Sequence, residues 1–308
     1  AAASMEQEFI QRLRERLPQS NLVRVGIGDD AAVIRDVGEH VVTTDMLMEG
    51  VDFELEKVDL RRVGRKALAV NLSDLAAMAT EPYAAVVAVA LPRAQGLVTG
   101  EALYDGLLPL AHQFDVAIAG GDTNSWDGPL VICITAFGRV TPRGALLRSG
   151  ARPGDDILVT GEFGGSLLGR QFDFLPRIAE ALWLHRGYEL HAGIDVSDGL
   201  SLDLARLAEA SGCGAELHLD RIPISVAARQ LAEQSRSLSP LEHALGDGED
   251  FELILAVPPA ETARLLSSEL PVPLTRIGQF VPQSGLWQVL PDGSRVPLTP
   301  RGYQHALT

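Results

Sequence analysis

The sequence predicts an α/β protein of the α+β sandwich type, built as two lobes. Three observations carry that reading. Strand-length apolar runs alternate with stretches of helical periodicity along the chain. A turn cluster, Thr141-Pro142-Arg143-Gly144, interrupts the alternation near the middle. At 308 residues, 46% of them apolar, the chain is long enough for two cores rather than one. The lobes are expected at 5–140 and 141–308, with residues 1–4 read as a cloning remnant ahead of a start at Met5.

The elements follow in order. Residues 6–17 interleave charges with apolar residues at helical spacing and stop before Pro18, so they predict a short helix. Strands are expected at 31–34 and 40–44, on either side of a turn at 36–38. Asp59 is placed to cap a long helix over 60–79, whose apolar positions include Val63, Ala67, Val70 and Leu75. Residues 83–91 form a continuous apolar run of strand length, 100–113 are helical in pattern, and 116–119 and 130–140 read as strands. Past the turn, a strand at 156–160 leads into a glycine-rich loop at 161–169 that enters a helix. A strand at 192–196, a helix at 200–210 ended by Ser211-Gly212, and strands at 216–219, 251–257 and 275–280 complete the second lobe.

Charge and motif content narrow the function. A formal net charge of −15 repels nucleic acid and anionic membranes. No apolar run approaches the ~20 residues that span a bilayer. Cys133 and Cys213 form no CxxC and match a reduced, cytoplasmic setting. Basic charge is almost wholly arginine, with Lys57 and Lys66 the only lysines. The sequence contains no GxxxxGK[ST], no HRD/DFG pair, no HExxH and no GxSxG.

Acidic clusters stand out instead. They are Gly26-Ile27-Gly28-Asp29-Asp30, Thr43-Thr44-Asp45, Gly120-Gly121-Asp122-Thr123 and Asp195-Val196-Ser197-Asp198-Gly199, with Ser73-Asp74 inside an apolar helix pattern. Two readings stand for each cluster. Asp-Gly and Gly-Asp pairs are ordinary turn chemistry, and Asp74 on a helix can face water or an arginine. Carboxylates joined by the hydroxyls of Thr43, Thr44 and Ser197 also make an all-oxygen donor set, which suits magnesium first and calcium second. The loop Gly161-Glu162-Phe163-Gly164-Gly165-Ser166 likewise reads either as a phosphate cradle of backbone N–H groups or as a plain β–α turn.

Seven stretches resemble the thiamine-monophosphate kinase family, within the aminoimidazole-ribotide-synthetase-like superfamily. They are GIGDDAAV at 26–33, TDMLMEGVDF at 44–53, RKALAVNLSDLAAMA at 65–79, GGDT at 120–123, LRSGARPG at 147–154, IDVSDGL at 194–200 and GEDFEL at 248–253. The resemblance runs from Gly26 to about Gly302. It implies magnesium ligation by Asp30, Thr43, Thr44, Asp45, Asp74 and Asp122 in the first lobe and by Asp195 and Asp198 in the second. It implies ATP contacts at Tyr104, Gly121, Asp122, Arg148 and Ser197, with Asp122 and Arg148 in catalytic roles. Glu249 is implied as an acceptor-binding residue. A homodimer formed through the first lobe, with nucleotide in a cleft between subunits, is implied as well.

Two positions depart from the family pattern. Asp52 stands where a histidine is usual, and Pro300 where an aromatic residue is usual before a Gly-Tyr pair. Asp52 is expected to face a cationic ring of the acceptor. The reaction implied is transfer of the γ-phosphoryl group of ATP to thiamine monophosphate, aided by several magnesium ions. The alternatives are another ATP-dependent enzyme of the superfamily, such as an aminoimidazole ribotide synthetase, or a non-catalytic nucleotide- or metal-binding regulator.

Overall fold

The computed structural model describes residues 5–17, 20–25, 33–35 and 38–304. The chain forms two compact units, Ala1–Leu75 with Thr80–Thr141, and Ala76–Ala79 with Pro142–Thr308.

The first unit runs α1 (Met5–Arg16), β1 (Val23–Val25), β2 (Val33–Ile34), β3 (His40–Met48), α2 (Leu60–Ala77), β4 (Glu81–Pro92), α3 (Gly96–Gln113), β5 (Ala117–Trp126) and β6 (Val131–Arg139). Residues 31 and 32 of the expected early strand lie outside the described residues. Four strands form one sheet in the order β3-β6-β4-β5. Only the β4–β5 pair is parallel, because α3 carries the chain back between them. α2 starts where Asp59 Oδ1 accepts the Arg61 N–H at 2.7 Å, satisfying one of the helix's orphan donors. Its apolar stripe, including Val63, Ala67, Leu72 and Leu75, is buried, and so is Lys66.

α2 and α3 approach backbone to backbone. A Cβ on Gly64 would lie 2.0 Å from Leu103 O, and one on Gly106 would lie 1.7 Å from Arg61 O. Only glycine permits that crossing.

β5 is longer than its sequence suggests. Gly120-Gly121-Asp122-Thr123 reads as a turn, yet it stays extended because β4 offers a parallel partner over Gly120 to Trp126. β3 likewise continues to Met48, since β6 pairs it through Val131.

The second unit runs β7 (Asp156–Thr160), α4 (Arg170–Asp173), α5 (Ile178–Gly187), β8 (Ala192–Asp195), α6 (Leu200–Ala210), β9 (Gly214–Leu217), α7 (Val226–Ser235), α8 (Pro240–Gly246), β10 (Leu253–Val257), α9 (Pro259–Leu266), β11 (Leu274–Val281), β12 (Gly285–Val289) and β13 (Arg295–Pro297). Its seven strands are ordered β13-β12-β9-β11-β7-β10-β8. β7 and β10 are buried along their whole length, which explains the unbroken apolar sequence of β10 and the apolar centre of β7 between Asp156 and Thr160. Ile157, Val159, Ile194, Leu204, Leu207, Ile254 and Phe280 pack into one core beneath α6.

The crossing of α2 and α3 gives a direct test. Gly106→Ala is expected to lose about 1–3 kcal/mol through overpacking, measured by urea unfolding. Gly187→Ala, in open space and without a positive φ, is the control for a glycine with room around it.

Candidate active site

Strand alternation sorts the first unit's candidates onto two faces of one sheet. Thr43 and Asp45 share a face of β3, and α2 covers that face, since Thr43 Oγ1 donates to Asp74 Oδ2. Asp45 is half-buried there. Burial, then the neighbouring charges of Asp74 and Asp52, push its carboxyl up to about 7. Asp52 is held by its own turn, where Oδ2 accepts the Met48 N–H at 2.7 Å.

Asp45 thus lies within reach of the charges of two further carboxylates, Asp74 and Asp52. Magnesium fits such a donor set, because it keeps several waters and binds through one or two carboxylates plus substrate phosphates. Among the described residues, no three His, Cys, Asp or Glu side chains form a ready metal cage. Asp30 lies outside the described residues.

Thr44 and Asp122 belong to the other face. The register runs Met46–Cys133–Ala88–Asp122 across the sheet, whereas Asp45 aligns with Ile134, Val87 and Gly121. Directly paired residues point the same way, so Asp122 and Asp45 point oppositely. β3 and β5 are also the two edges, three strand spacings or about 14 Å apart. One chain therefore brings Thr43, Asp45, Asp52 and Asp74 together and leaves Asp122 apart.

The open face carries exposed Val42 (57%) and Met46 (55%). Between them Thr44 Oγ1 donates to Ile134 O at 3.2 Å and accepts from Thr135 Oγ1 at 3.1 Å. Gly121 is exposed on β5. Tyr104 is not: its ring is 4% exposed and edge-on to Phe9, and burial raises its phenol far above the usual range.

In the second unit Asp195 ends β8 and is buried. The loop to α6 is shaped by a residue the sequence reading missed. Asp203 Oδ2 accepts the N–H groups of Asp198 at 2.9 Å and Gly199 at 3.0 Å. Burial nonetheless raises the Asp203 carboxyl, against the lowering effect of those two bonds. Arg206 donates to Asp203 Oδ1 at 2.8 Å and also to Asp198 Oδ2, so a guanidinium stands where the sequence places a metal. The sequence signal was the i, i+3 spacing of Asp203 and Arg206.

Arg148 is exposed on a short 3₁₀ turn, whose Arg148 O accepts from Ser211 Oγ at 2.7 Å. Tyr303 N–H donates to Asp198 O at 2.9 Å, and its side is 52% exposed. An aromatic residue thus stands beside the Asp198 loop, three positions beyond Pro300.

Glu249 is half-buried, with its N–H on Ser197 O at 2.7 Å. Its segment is strained, since Glu249 and Phe251 have φ of 52° and 51°, conformations costing roughly 1–2 kcal/mol each outside glycine. The glycine-rich loop proves to be its support rather than a phosphate cradle. Gly164 N–H donates to Asp250 Oδ1 at 2.8 Å and Gly165 N–H to Asp247 Oδ2 at 2.7 Å. The protein's own carboxylates already occupy those two donors. Asp250 is 1% exposed, its other oxygen has no hydrogen-bond partner, and burial raises it well above the carboxylate range.

Comparison with known proteins gives these clusters a context. Residues 28–140 match the AIR synthase related protein, N-terminal domain, and residues 165–286 match the C-terminal domain of the same family. The chain is 46% identical to a thiamine-monophosphate kinase of Rhodopirellula baltica, over 99% of this chain and 98% of the relative. A thiamine-monophosphate kinase structure from Stenotrophomonas maltophilia K279a superposes with a TM-score of 0.78 at 35% identity, covering 95% of this chain and 97% of the other. The structure of AaThiL complexed with AMPPCP and TMP gives a TM-score of 0.77 at 26% identity, covering 97% and 95%.

The Asp45 cluster predicts a pH signature. Between about 4 and about 7 the folded protein keeps an Asp45 proton that the unfolded chain has lost, so metal-free stability falls as pH rises through that window. Magnesium is expected to offset this fall. In Asp45→Asn the magnesium-sensitive part of the slope should vanish, as read by urea melts with EDTA or magnesium at pH 5 and 7.5.

Proposed function

We infer the role of this chain from its family, because it belongs to the AIR synthase related proteins and, within them, to the thiamine-monophosphate kinases. It phosphorylates thiamine monophosphate with ATP, giving thiamine diphosphate and ADP, in thiamine biosynthesis.

The acceptor is itself a phosphate monoester. Its second pKa is ~6, so it is largely dianionic at neutral pH and needs no strong general base. The obstacle is charge, as two polyanions must meet on an acidic protein. Magnesium, when bound, would neutralise the phosphates and stabilise charge on the group in transfer. Asp45 and Asp74, with Thr43, would hold it in the first unit, joined by Asp30; Thr44 and Asp122, which point to the opposite face, would not share that ion. Asp195 would hold it in the second, and Asp198 only with Arg206 displaced.

The observation that carries this mechanism is Asp45. Burial and the charges of Asp74 and Asp52 hold its carboxyl up at about 7, and Thr43 ties Asp74 to the same face of the sheet, an all-oxygen donor set that suits magnesium. Arg148 supplies a permanently charged fork for ATP phosphate. Gly121 and Ser197 line the nucleotide, and Tyr104 would join them only with Phe9 displaced. Glu249 and Asp52 face the cationic acceptor, and Tyr303 offers it an aromatic face. Transfer is direct and in line, with no phospho-enzyme. The free cysteines Cys133 and Cys213 fit a cytoplasmic enzyme.

The working unit is a homodimer joined through the open face of the first sheet. Exposed Val42 and Met46 on that face support a second copy as its cover.

Two experiments test the function. Incubation with ATP, magnesium and thiamine monophosphate is expected to yield thiamine diphosphate and ADP; no product would reject the assigned reaction. Asp45→Asn and Asp122→Asn are each expected to lower kcat by roughly 10²–10³-fold. Near-wild-type kcat at saturating magnesium in a folded variant would reject that residue's metal role.

A further inference from the structure

Glu249 sits on an arch that does not hold its own shape. Gly248, Glu249 and Phe251 have φ of 73°, 52° and 51°. Non-glycine side chains avoid that region because Cβ crowds the neighbouring carbonyl oxygen. The arch therefore needs anchors on either side of Glu249.

On one side the anchors are backbone bonds. Glu249 N–H donates to Ser197 O at 2.7 Å and Phe251 N–H to Val196 O at 2.8 Å. On the other side they are side chains from a single short segment, residues 170–177. The Phe174 ring stacks on Phe251, centroids 4.1 Å apart at 17°. The Glu252 carboxylate, 1% exposed, accepts from Arg170 Nη2 at 2.5 Å and from Arg177 through Nε at 2.8 Å and Nη2 at 2.7 Å. Thr160 Oγ1 supplies a further donor at 2.7 Å.

Arg170 makes one bond to Glu252 and spends another donor on Glu162 O. Arg177 alone grips both carboxylate oxygens. Two parallel N–H···O bonds fix the plane of a carboxylate, whereas one leaves it free to turn. Glu180 holds Arg177 in turn, accepting from Nη1 at 3.1 Å.

We propose that Arg177 is a positioning residue for the acceptor. By fixing the plane of Glu252 it holds Phe251 in its left-handed conformation and so aims Glu249, without touching the substrate itself. The role rests on the reading of Glu249 as the acceptor-binding acid. Of the implied ATP contacts, Ser197 is bonded to the arch through its O and the Glu249 N–H, whereas Tyr104, Gly121, Asp122 and Arg148 stand on other elements. Loss of the fork therefore acts chiefly on the acceptor, because most of the ATP contacts lie off the arch.

Steady-state kinetics on the full-length protein, with ATP and thiamine monophosphate varied separately, test this. Arg177→Gln is expected to raise KM for thiamine monophosphate about tenfold or more, since small misplacements of a binding group are costly. KM for ATP should stay within about twofold. Arg177→Lys, which keeps the charge but not the fork, should fall between wild type and Arg177→Gln. Should Arg177→Gln fail to fold, Phe174→Leu removes the stack, keeps the ion pair, and should show the same split. Folded variants with an unmoved acceptor KM would overturn the proposal, as would an ATP KM that rises in step. Wild-type protein that does not turn over thiamine monophosphate would instead remove the assigned acceptor, and this role with it.

Discussion

Neighbouring carboxylates in a chain of net charge −15 repel one another, by about 4 kcal/mol for any pair at 4 Å near a protein surface. The two units answer that repulsion differently. In the second unit the protein supplies the answer itself. Asp203 receives two backbone N–H groups and Arg206, Asp247 and Asp250 take the glycine-loop donors, and Glu252 takes two arginines. In the first unit Asp45 faces Asp74 and Asp52, and its carboxyl rises toward neutrality. An acid whose charge is already met serves the architecture. Asp45 and Asp74 instead offer oxygen donors at which an ion and its phosphate ligands would complete the structure.

The parts of the fold that packing alone decides were readable from sequence. α2, α6 and β7 carry apolar patterns long or dense enough to name their type, and the structure places them within two residues of expectation. α5, α7, α8 and α9 are each ten residues or fewer. Such lengths fall below the window in which helical periodicity separates itself from chance. β5 was cut short for a different reason. Glycine, aspartate and asparagine favour turns locally, but a full-length parallel neighbour outweighed that preference.

The site divided along the same line. Asp45 and Asp74 were visible as motif residues, and the structure adds why they meet: one lies on the helix-facing side of β3 and the other on α2. The separation of Asp122 was invisible, because it depends on a register carried through four strands. The supports were invisible too. Arg177 and Glu252 lie 75 residues apart and make sense only once β10 and the start of α5 are adjacent. The glycine-rich loop shows the opposite error. Its residues suit a phosphate, and only the facing Asp247 and Asp250 reveal that its donors are spoken for.

The near-absence of lysine has a consequence for control. Lys57 is on the surface, paired with Glu54, and Lys66 is buried. Among the described residues the cations facing the second unit's key acids are guanidiniums, Arg170, Arg177 and Arg206. A guanidinium keeps its charge throughout the physiological pH range, and lysine acetylases have no purchase on it. A cell that acylates its enzymes in response to metabolic state could reach little more than Lys57 here. Such a catalyst would answer to the supply of metal and nucleotide, and stay deaf to acyl-based signalling.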